Sequence, residues 1–308
     1  MEEKTIDTTD WISMLPNFII HQILSYLCRD TKSLIRISVL SKQWFALTAS
    51  FPLLYFNLGA WSNFFSQEID TFYRYVEYAV SRLCNQDISA HTLDMYAEYL
   101  HLEQIELFGR CLESLIKKGL QVLVIRIVSL DTNLPIYHLP NTLLSASFLI
   151  SLTLHKCELP LSLMDDDVKL KSLRLLSLIQ LPIEEGVIEY MIKGCPLLEE
   201  IYLRFCYGFS AFCVNKHHNL QKVTIYSNVG LQRIDVDAPN LSYVFFLKNN
   251  TDKAPSMFMA SCKKLKTFCY GGFPLTRPSD FLSNFKFIND VFLNLYLLST
   301  TLTCRIIP

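Results

Sequence analysis

Ten cysteines, seven histidines and a run of three aspartates are the side chains of this 308-residue chain that could bind a metal, attack a substrate or shuttle a proton. A structural zinc site needs thiols and imidazoles at close, regular spacing. The cysteines at 28, 84, 111, 157, 195, 206, 213, 262, 269 and 304 form no CxxC pair. The histidines at 21, 91, 101, 138, 155, 217 and 218 make no HExxH and no ligand spacing with cysteines or acids. Adjacent residues on a strand or turn point apart, so His217-His218 reads as a solvated loop pair. Asp165-Asp166-Asp167 has the charge for a cation, but an acidic loop tip is the commoner origin of such a run. The nine glycines build no GxGxxG, GxxxxGK[ST] or GxSxG, which removes the familiar phosphate cradles and nucleophile elbows. The expectation is a chain without catalytic residues, metal or cofactor.

With chemistry set aside, composition narrows the class. Hydrophobic residues make up 51% of the chain and charged ones 19%, and the formal net charge is -1. A mean hydropathy of +0.25 raises the question of a membrane span, which needs about 20 mostly apolar residues. The longest candidates, Leu143–Leu154 and Val291–Cys304, are shorter and carry Ser, Thr or Asn. Met1–Asp10 is acidic and has no apolar h-region, so no signal peptide is expected. No basic stripe marks a nucleic-acid binder. The scattered cysteines read as reduced thiols serving as small apolar residues in a cytoplasmic or nuclear protein. Neither membrane nor nucleic acid is expected as a partner.

An internal repeat accounts for the hydrophobicity. Apolar residues recur as LxxLxL at Leu120-Leu123-Ile125, Leu149-Leu152-Leu154, Leu173-Leu176-Leu178 and Leu198-Ile201-Leu203. They continue at Leu220-Val223-Ile225, Leu241-Val244-Phe246, Leu265-Phe268-Tyr270 and Ile288-Val291-Leu293, with starts 29, 24, 25, 22, 21, 24 and 23 residues apart. A half-length unit, Leu231-Ile234-Val236, falls inside the 21-residue gap. Such periods are the signature of a leucine-rich repeat, one short strand per turn of a solenoid. The last two apolar residues of each unit are two apart and share a strand face, so the residue between them faces outward on the concave surface. Cys157 and Cys206 follow the last apolar position by three, whereas Cys195 and Cys262 precede the first Leu by three. Small, weakly polar side chains suit those buried corners. Pro182–Lys193 reads as a helix stopped by Gly194, and the stretch from Ile225 to Leu241 as extended loops on the solenoid back. Asp70–Leu83 and Glu103–Lys118 read as amphipathic helices, Ile88–Met95 as a strand. No Gly/Ser or Pro linker separates them from the preceding residues, so the join is expected to be rigid.

Residues 10–50 do not follow the repeat. Apolar residues from Phe18 to Leu27 have helical spacing after Pro16, Asp30 is placed to cap a second helix and Ser41 a third over Lys42–Ala49. The strings Asp10-Trp11-Ile12-Ser13-Met14-Leu15-Pro16, His21-Gln22-Ile23-Leu24-Ser25-Tyr26-Leu27 and Ser38-Val39-Leu40-Ser41-Lys42-Gln43-Trp44 arrive in order, and Phe51-Pro52-Leu53-Leu54-Tyr55-Phe56 follows. They resemble the F-box in the form common in plants. With the repeats behind it, the chain is similar to a plant F-box/leucine-rich-repeat protein, the substrate receptor of a Skp–cullin–F-box (SCF) ubiquitin ligase.

The resemblance implies a non-catalytic subunit whose partners are a Skp-type adaptor, through it a cullin, and a target protein to be ubiquitylated. It places Leu15, Pro16, Ile19, Ile20, Ile23, Leu24 and Leu27 in a first adaptor-binding block and Val39, Leu40 and Trp44 in a second. Some of these must also hold the helices together, Ile23 and Trp44 foremost. On the repeats, the outward residues Tyr202, Arg204, Lys222, Tyr226, Tyr243 and Phe245 nominate a target-binding surface. No dense Lys/Arg cluster supplies a basic pocket for a small co-ligand. The expected fold is α+β of repeat type, an N-terminal three-helix F-box followed by an irregular leucine-rich-repeat solenoid with a curved parallel sheet. The expected divisions are 10–56 for the F-box, 57–119 for a helical linker and N-terminal cap, 120–298 for the repeats and 299–308 for a tail. The uncharged last unit is a poor outer cap, so the end reads as truncated or covered by a partner. The alternative is a repeat scaffold or inactive relative that binds protein without ubiquitylation.

Overall fold

In the computed structural model, residues 14–62, 69–86, 88–97, 102–128, 136–160, 168–226, 230–248, 255–259, 261–271, 291–297 and 300–306 are described. The Asp165–Asp167 run lies outside these residues. Three short helices come first: α1 (Asn17–Leu27), α2 (Thr31–Ser38) and α3 (Lys42–Ala49). Both expected caps form. The Asp30 carboxylate accepts from Lys32 N at 3.1 Å, and Ser41 Oγ accepts from Trp44 N at 3.2 Å. Each satisfies an orphan amide at a helix start.

The chain then enters the sheet at once. Strand β1 (Leu53–Asn57) follows α3 after Ser50-Phe51-Pro52 and pairs in parallel with β2 (Thr92–Ala97). Between them run α4 (Leu58–Ser62) and α5 (Ile69–Cys84), and α6 (Leu102–Lys117) leads to β3 (Val122–Ile127). Within residues 57–119, read as linker and N-terminal cap, β2 pairs with both β1 and β3 in one sheet, and it starts four residues later than expected from Ile88. The strand at 53–57 carried no repeat pattern in the sequence and was not expected.

Parallel pairing continues through β4 (Ser151–His155), β5 (Leu175–Ile179), β6 (Glu200–Arg204), β8 (Lys222–Tyr226), β10 (Tyr243–Leu247) and β12 (Thr267–Gly271). The register lines up the repeat as read: Leu123, Leu152, Leu176, Ile201, Val223, Val244 and Phe268 form one row, each at most 3% exposed. The leading residues from Leu120 to Leu265 are at most 1% exposed. Stacked rows of this kind give the solenoid one continuous core, since each coil covers the apolar edge of the last.

The end of the sheet differs from the expected register. Strand β13 (Val291–Leu297) pairs Leu293 with Phe268 and Leu295 with Tyr270, two residues on from the reading that set Val291 and Leu293 there. Residues 300–306, read as tail, form β14 (Thr300–Ile306), antiparallel to β13 and last in the eleven-stranded sheet.

The back of the central coils is also a sheet rather than extended loops. Strands β7 (Ala211–Val214), β9 (Arg233–Val236) and β11 (Ser256–Phe258) pair in parallel. The half-unit Leu231-Ile234-Val236 supplies β9, and Phe209-Phe212-Val214 repeats its spacing midway between Leu198 and Leu220, all at most 3% exposed. Helix α7 (Val187–Gly194) starts later than Pro182, which instead forms a bridge to Tyr207. The corner cysteines behave as read: Cys157, Cys195, Cys206 and Cys262 are all 0% exposed. Cys206 Sγ donates to Leu178 O and Cys262 Sγ to Val236 O, each at 3.3 Å and each a bond to the preceding coil.

Candidate functional site

The N-terminal module has its own small core of Ile20, Leu24, Cys28, Trp44, Leu47 and Phe51. Strand β1 fastens it to the solenoid by alternation. Leu54 and Phe56 belong to the solenoid core, whereas Leu53 and Tyr55 pack on the module's core. Ile35 of α2 also reaches the solenoid core, and Arg82 of α5 donates to Phe45 O at 2.8 Å while lying 4.2 Å over the Phe45 ring. An apolar cleft of about 290 Å³ remains along this seam, lined by Leu34, Phe45, Leu54, Tyr75, Tyr78 and Arg82 among others. The module thus covers the end of the sheet at β1, whose other side pairs with no strand among the described residues.

That core divides the ten residues expected to bind an adaptor. Ile20 and Leu24 are 0% exposed and Trp44 2%, so these three are withdrawn from any contact surface and hold the helices together. Leu15 and Ile23 are partly buried against them; Ile19 and Leu27 are partly buried, and Pro16 is exposed at the start of α1. Val39 and Leu40 lie in the turn between α2 and α3, 76% and 64% exposed. Sequence reasoning left out three neighbours of the same kind: Met14, Phe18 and Tyr26, at 68%, 70% and 79% exposure. The signal was available. Phe18 and Tyr26 each stand two residues from a core position, Ile20 or Leu24, and two residues are about 200° around a helix. This is much exposed aromatic and aliphatic surface for one small module.

The second candidate surface is the open face of the sheet. Its middle row contains Tyr202 and Phe245, its row nearer the strand ends Arg204 and Tyr226, and its row nearer the strand starts Lys222 and Tyr243. Five of these six meet, in two groups. The Arg204 guanidinium lies 5.3 Å over the Tyr226 ring, and Tyr226 stacks on Phe245 with centroids 6.1 Å apart at 8°. Lys222 Nζ sits 5.8 Å over Tyr243 and 3.4 Å from Glu200. Tyr202 is partly buried in the middle row. Phe205, not singled out in the sequence, joins the cluster edge-on to Tyr226 at 5.6 Å. Strand after strand also brings Arg126 and Lys156 to the same edge as Arg204, cations too far apart in sequence to read as a cluster.

No group of three or more His, Cys, Asp or Glu among the described residues could hold a metal ion. Burial pushes the thiols of Cys157 and Cys195 up to about 12, far from a reactive thiolate. The histidine pair is not solvated as expected: His217 is 7% exposed, its Nε2 3.0 Å from Cys195 O, and only His218 is on the surface. Among the described residues no helix is long and apolar enough to cross a membrane.

Comparison with known proteins joins these two surfaces to one architecture. Residues 12–56 match the F-box domain family, and residues 108–273 match the LRR repeats of the FBD-associated F-box protein At5g56370 family. The chain belongs to the F-box/LRR-repeat family. An Arabidopsis thaliana F-box/FBD/LRR-repeat protein, At1g78750, is 27% identical over 244 residues, covering 76% of this chain and 52% of the relative. F-box/LRR-repeat protein 13 of the same plant is 27% identical over 250 residues, covering 78% and 52%. F-box/LRR-repeat protein 25 is 26% identical over 242 residues, covering 77% and 85%. The chain spans about half the length of the first of these curated relatives. In this F-box/LRR-repeat protein the F-box match ends at Phe56 inside β1, and the repeat match begins at Phe108 inside α6.

Proposed function

We propose that this F-box/LRR-repeat protein is the target-binding subunit of an SCF-type ubiquitin ligase. Its F-box docks on a Skp-type adaptor, and the open face of its solenoid holds the protein to be modified. The observation that carries the reading is the exposed apolar face of the F-box, Met14, Phe18, Tyr26, Val39 and Leu40, set over a separate closed core. A monomer has no folding reason to keep such residues in water, whereas a partner that covers them gains their burial. The subunit performs no bond chemistry. It raises the effective concentration of target lysines beside a ubiquitin-loaded enzyme, and the β1 seam ties the F-box to the solenoid that holds the target.

The test is reconstitution with a Skp-type adaptor, a cullin–RING pair and the conjugation enzymes. Adaptor-dependent ubiquitin transfer to a bound protein is expected. Adaptor binding without transfer to any bound protein would select a scaffold role instead.

A further inference from the structure

The open face of the sheet is unevenly charged. Near the strand starts, acids and bases are matched, Glu200 with Lys222 at 3.4 Å and Glu199 with Arg174. At the strand ends, cations accumulate. Arg126 of β3 pairs in register with His155 of β4, Lys156 follows His155, and Arg204 lies two strands further on. The imidazole of His155 is held toward neutrality by burial and by all three of these cations, and it is hydrogen bonded to Gln180 at 2.6 Å. Two ion-paired carboxylates lie nearby: Asp94, 2.5 Å from Arg126, and Glu158, two residues after Lys156 and 3.0 Å from His138. Arg204 forms no ion pair among the described residues; its guanidinium rests on the Phe205 and Tyr226 rings at 5.1 and 5.3 Å.

The backbone at this edge turns sharply in three adjacent coils, two of which carry one of these cations. Lys156, Gln180 and Phe205, each the residue after its strand, have φ of 53°, 55° and 54°. Side chains with a Cβ adopt that conformation at a cost, and Lys216, after the back strand β7, shares it with a φ of 51°, so this turn is a recurring corner of the coils. Strands lie about 4.8 Å apart, so Arg126 and Arg204, on strands three apart, set cations roughly 14 Å from one another. Four extended residues cover about that distance. Next to Arg204, the stacked Tyr226 and Phe245 offer a flat aromatic shelf.

We propose that this edge, from Arg126 past Lys156 and Arg204 to the Tyr226–Phe245 stack, seats an acidic segment of the target protein, with carboxylates about four residues apart followed by an aromatic or long apolar side chain. The inference deepens the target-receptor reading and rests on it. Charge complementarity supplies the partner's sign, the cation spacing its acidic register, and the aromatic shelf its anchor.

The full chain, purified with its co-expressed Skp-type adaptor, would be taken through display selection against random 12-residue peptides. The enriched peptides should carry Asp or Glu about four positions apart beside Phe, Tyr, Trp or Leu. Binding of the leading peptide, read by fluorescence polarisation, should weaken at least about tenfold in Arg204→Glu and in Tyr226→Ala, and should weaken with added salt. A Glu→Lys version of the peptide should bind Arg204→Glu better than wild type. Enrichment of neutral or basic peptides, no enrichment, acidic peptides indifferent to Arg204→Glu, or stronger binding of a decauridylate RNA at the same residues would each overturn the proposal. Arg204 is remote in sequence and strand order from the F-box, so adaptor co-purification and the melting temperature of Arg204→Glu should match wild type. Failure here with the adaptor still bound leaves the receptor reading standing; loss of the adaptor from the wild-type chain strikes that reading itself.

Discussion

Leu24 and Leu40 both belong to the F-box apolar set, yet the structure gives them opposite jobs, and truncating each to alanine separates those jobs. Leu24 is 0% exposed among the six buried residues of the F-box core. Removing a fully buried leucine side chain costs about 2–5 kcal/mol, through lost transfer energy and the cavity left behind. A core this small cannot absorb that loss, because modules of this size are marginally stable alone. Leu40, at 64% exposure in the α2–α3 turn, has little packing to lose, and its truncation should change stability by no more than about 0.5 kcal/mol. Native-state hydrogen exchange on the full chain reads both effects residue by residue. In Leu24→Ala, the amides of α1–α3 should open about 3 kcal/mol more easily, roughly a hundredfold faster exchange. Those of β4–β8 should be unchanged, since the solenoid core is a separate cluster. Leu40→Ala should leave every helix protected. Equal acceleration in the two variants would refute the division between core and face; acceleration spreading through β4–β8 in Leu24→Ala would refute the independence of the two cores.

The solenoid gives sharper local tests. At Gly208, φ is 98° and an added Cβ would stand 2.6 Å from Ile183 O, whereas at Gly186, φ is 81° with nothing within 4 Å. Gly208→Ala should therefore lose about 3 kcal/mol or more and Gly186→Ala about 1, by thermal or denaturant melting; equal losses would contradict the close approach. The Glu185 carboxylate accepts from Ser210 N at 2.6 Å and Ala211 N at 3.1 Å, and these backbone donors hold its pKa below the ordinary glutamate value. A depressed acid contributes stability that is present above its unfolded pKa of about 4.3 and is lost as pH falls beneath it. The melting-temperature gap between wild type and Glu185→Gln should accordingly narrow on acidification below that value, and a gap that widens would reverse the assignment. Native labelling with a thiol reagent at pH 8, mapped by mass spectrometry, should modify Cys84 and Cys213 while Cys157, Cys195, Cys206 and Cys262 react only on unfolding.

The residues that declared themselves in the sequence are those with a strict spacing to keep. LxxLxL rows, the corner cysteines and the Asp30 and Ser41 caps were legible because each follows from local geometry. Strand β1 was not, because Leu53-Leu54-Tyr55-Phe56 is apolar on both faces. Its alternation between two cores appears only when both cores exist. The register of β13 slipped for a related reason: Val291, Leu293, Leu295 and Leu297 alternate evenly, and a period-two run fits its neighbour equally well two residues either way. The back sheet was half legible, since Leu231-Ile234-Val236 stood out but its aromatic counterpart Phe209-Phe212-Val214 did not. Within the F-box, hydrophobicity alone put Ile20, Leu24 and Trp44 in the same set as Val39 and Leu40. Only the three-dimensional core shows which apolar residues are spent on folding and which are left for a partner. The cationic edge was invisible for the plainest reason, as Arg126, Lys156 and Arg204 meet only through the stacking of coils.

The exposed F-box residues are proposed to bind a Skp-type adaptor. The most direct measurement is co-purification of wild type and of Val39→Glu/Leu40→Glu with co-expressed adaptor, with hydrogen exchange of α1–α3 as the control for folding. Wild type should form a stoichiometric complex, and the double variant, its helices still protected, should bind at least about tenfold more weakly. A folded wild-type chain that binds no adaptor, or a double variant that binds undiminished, would contradict that proposal.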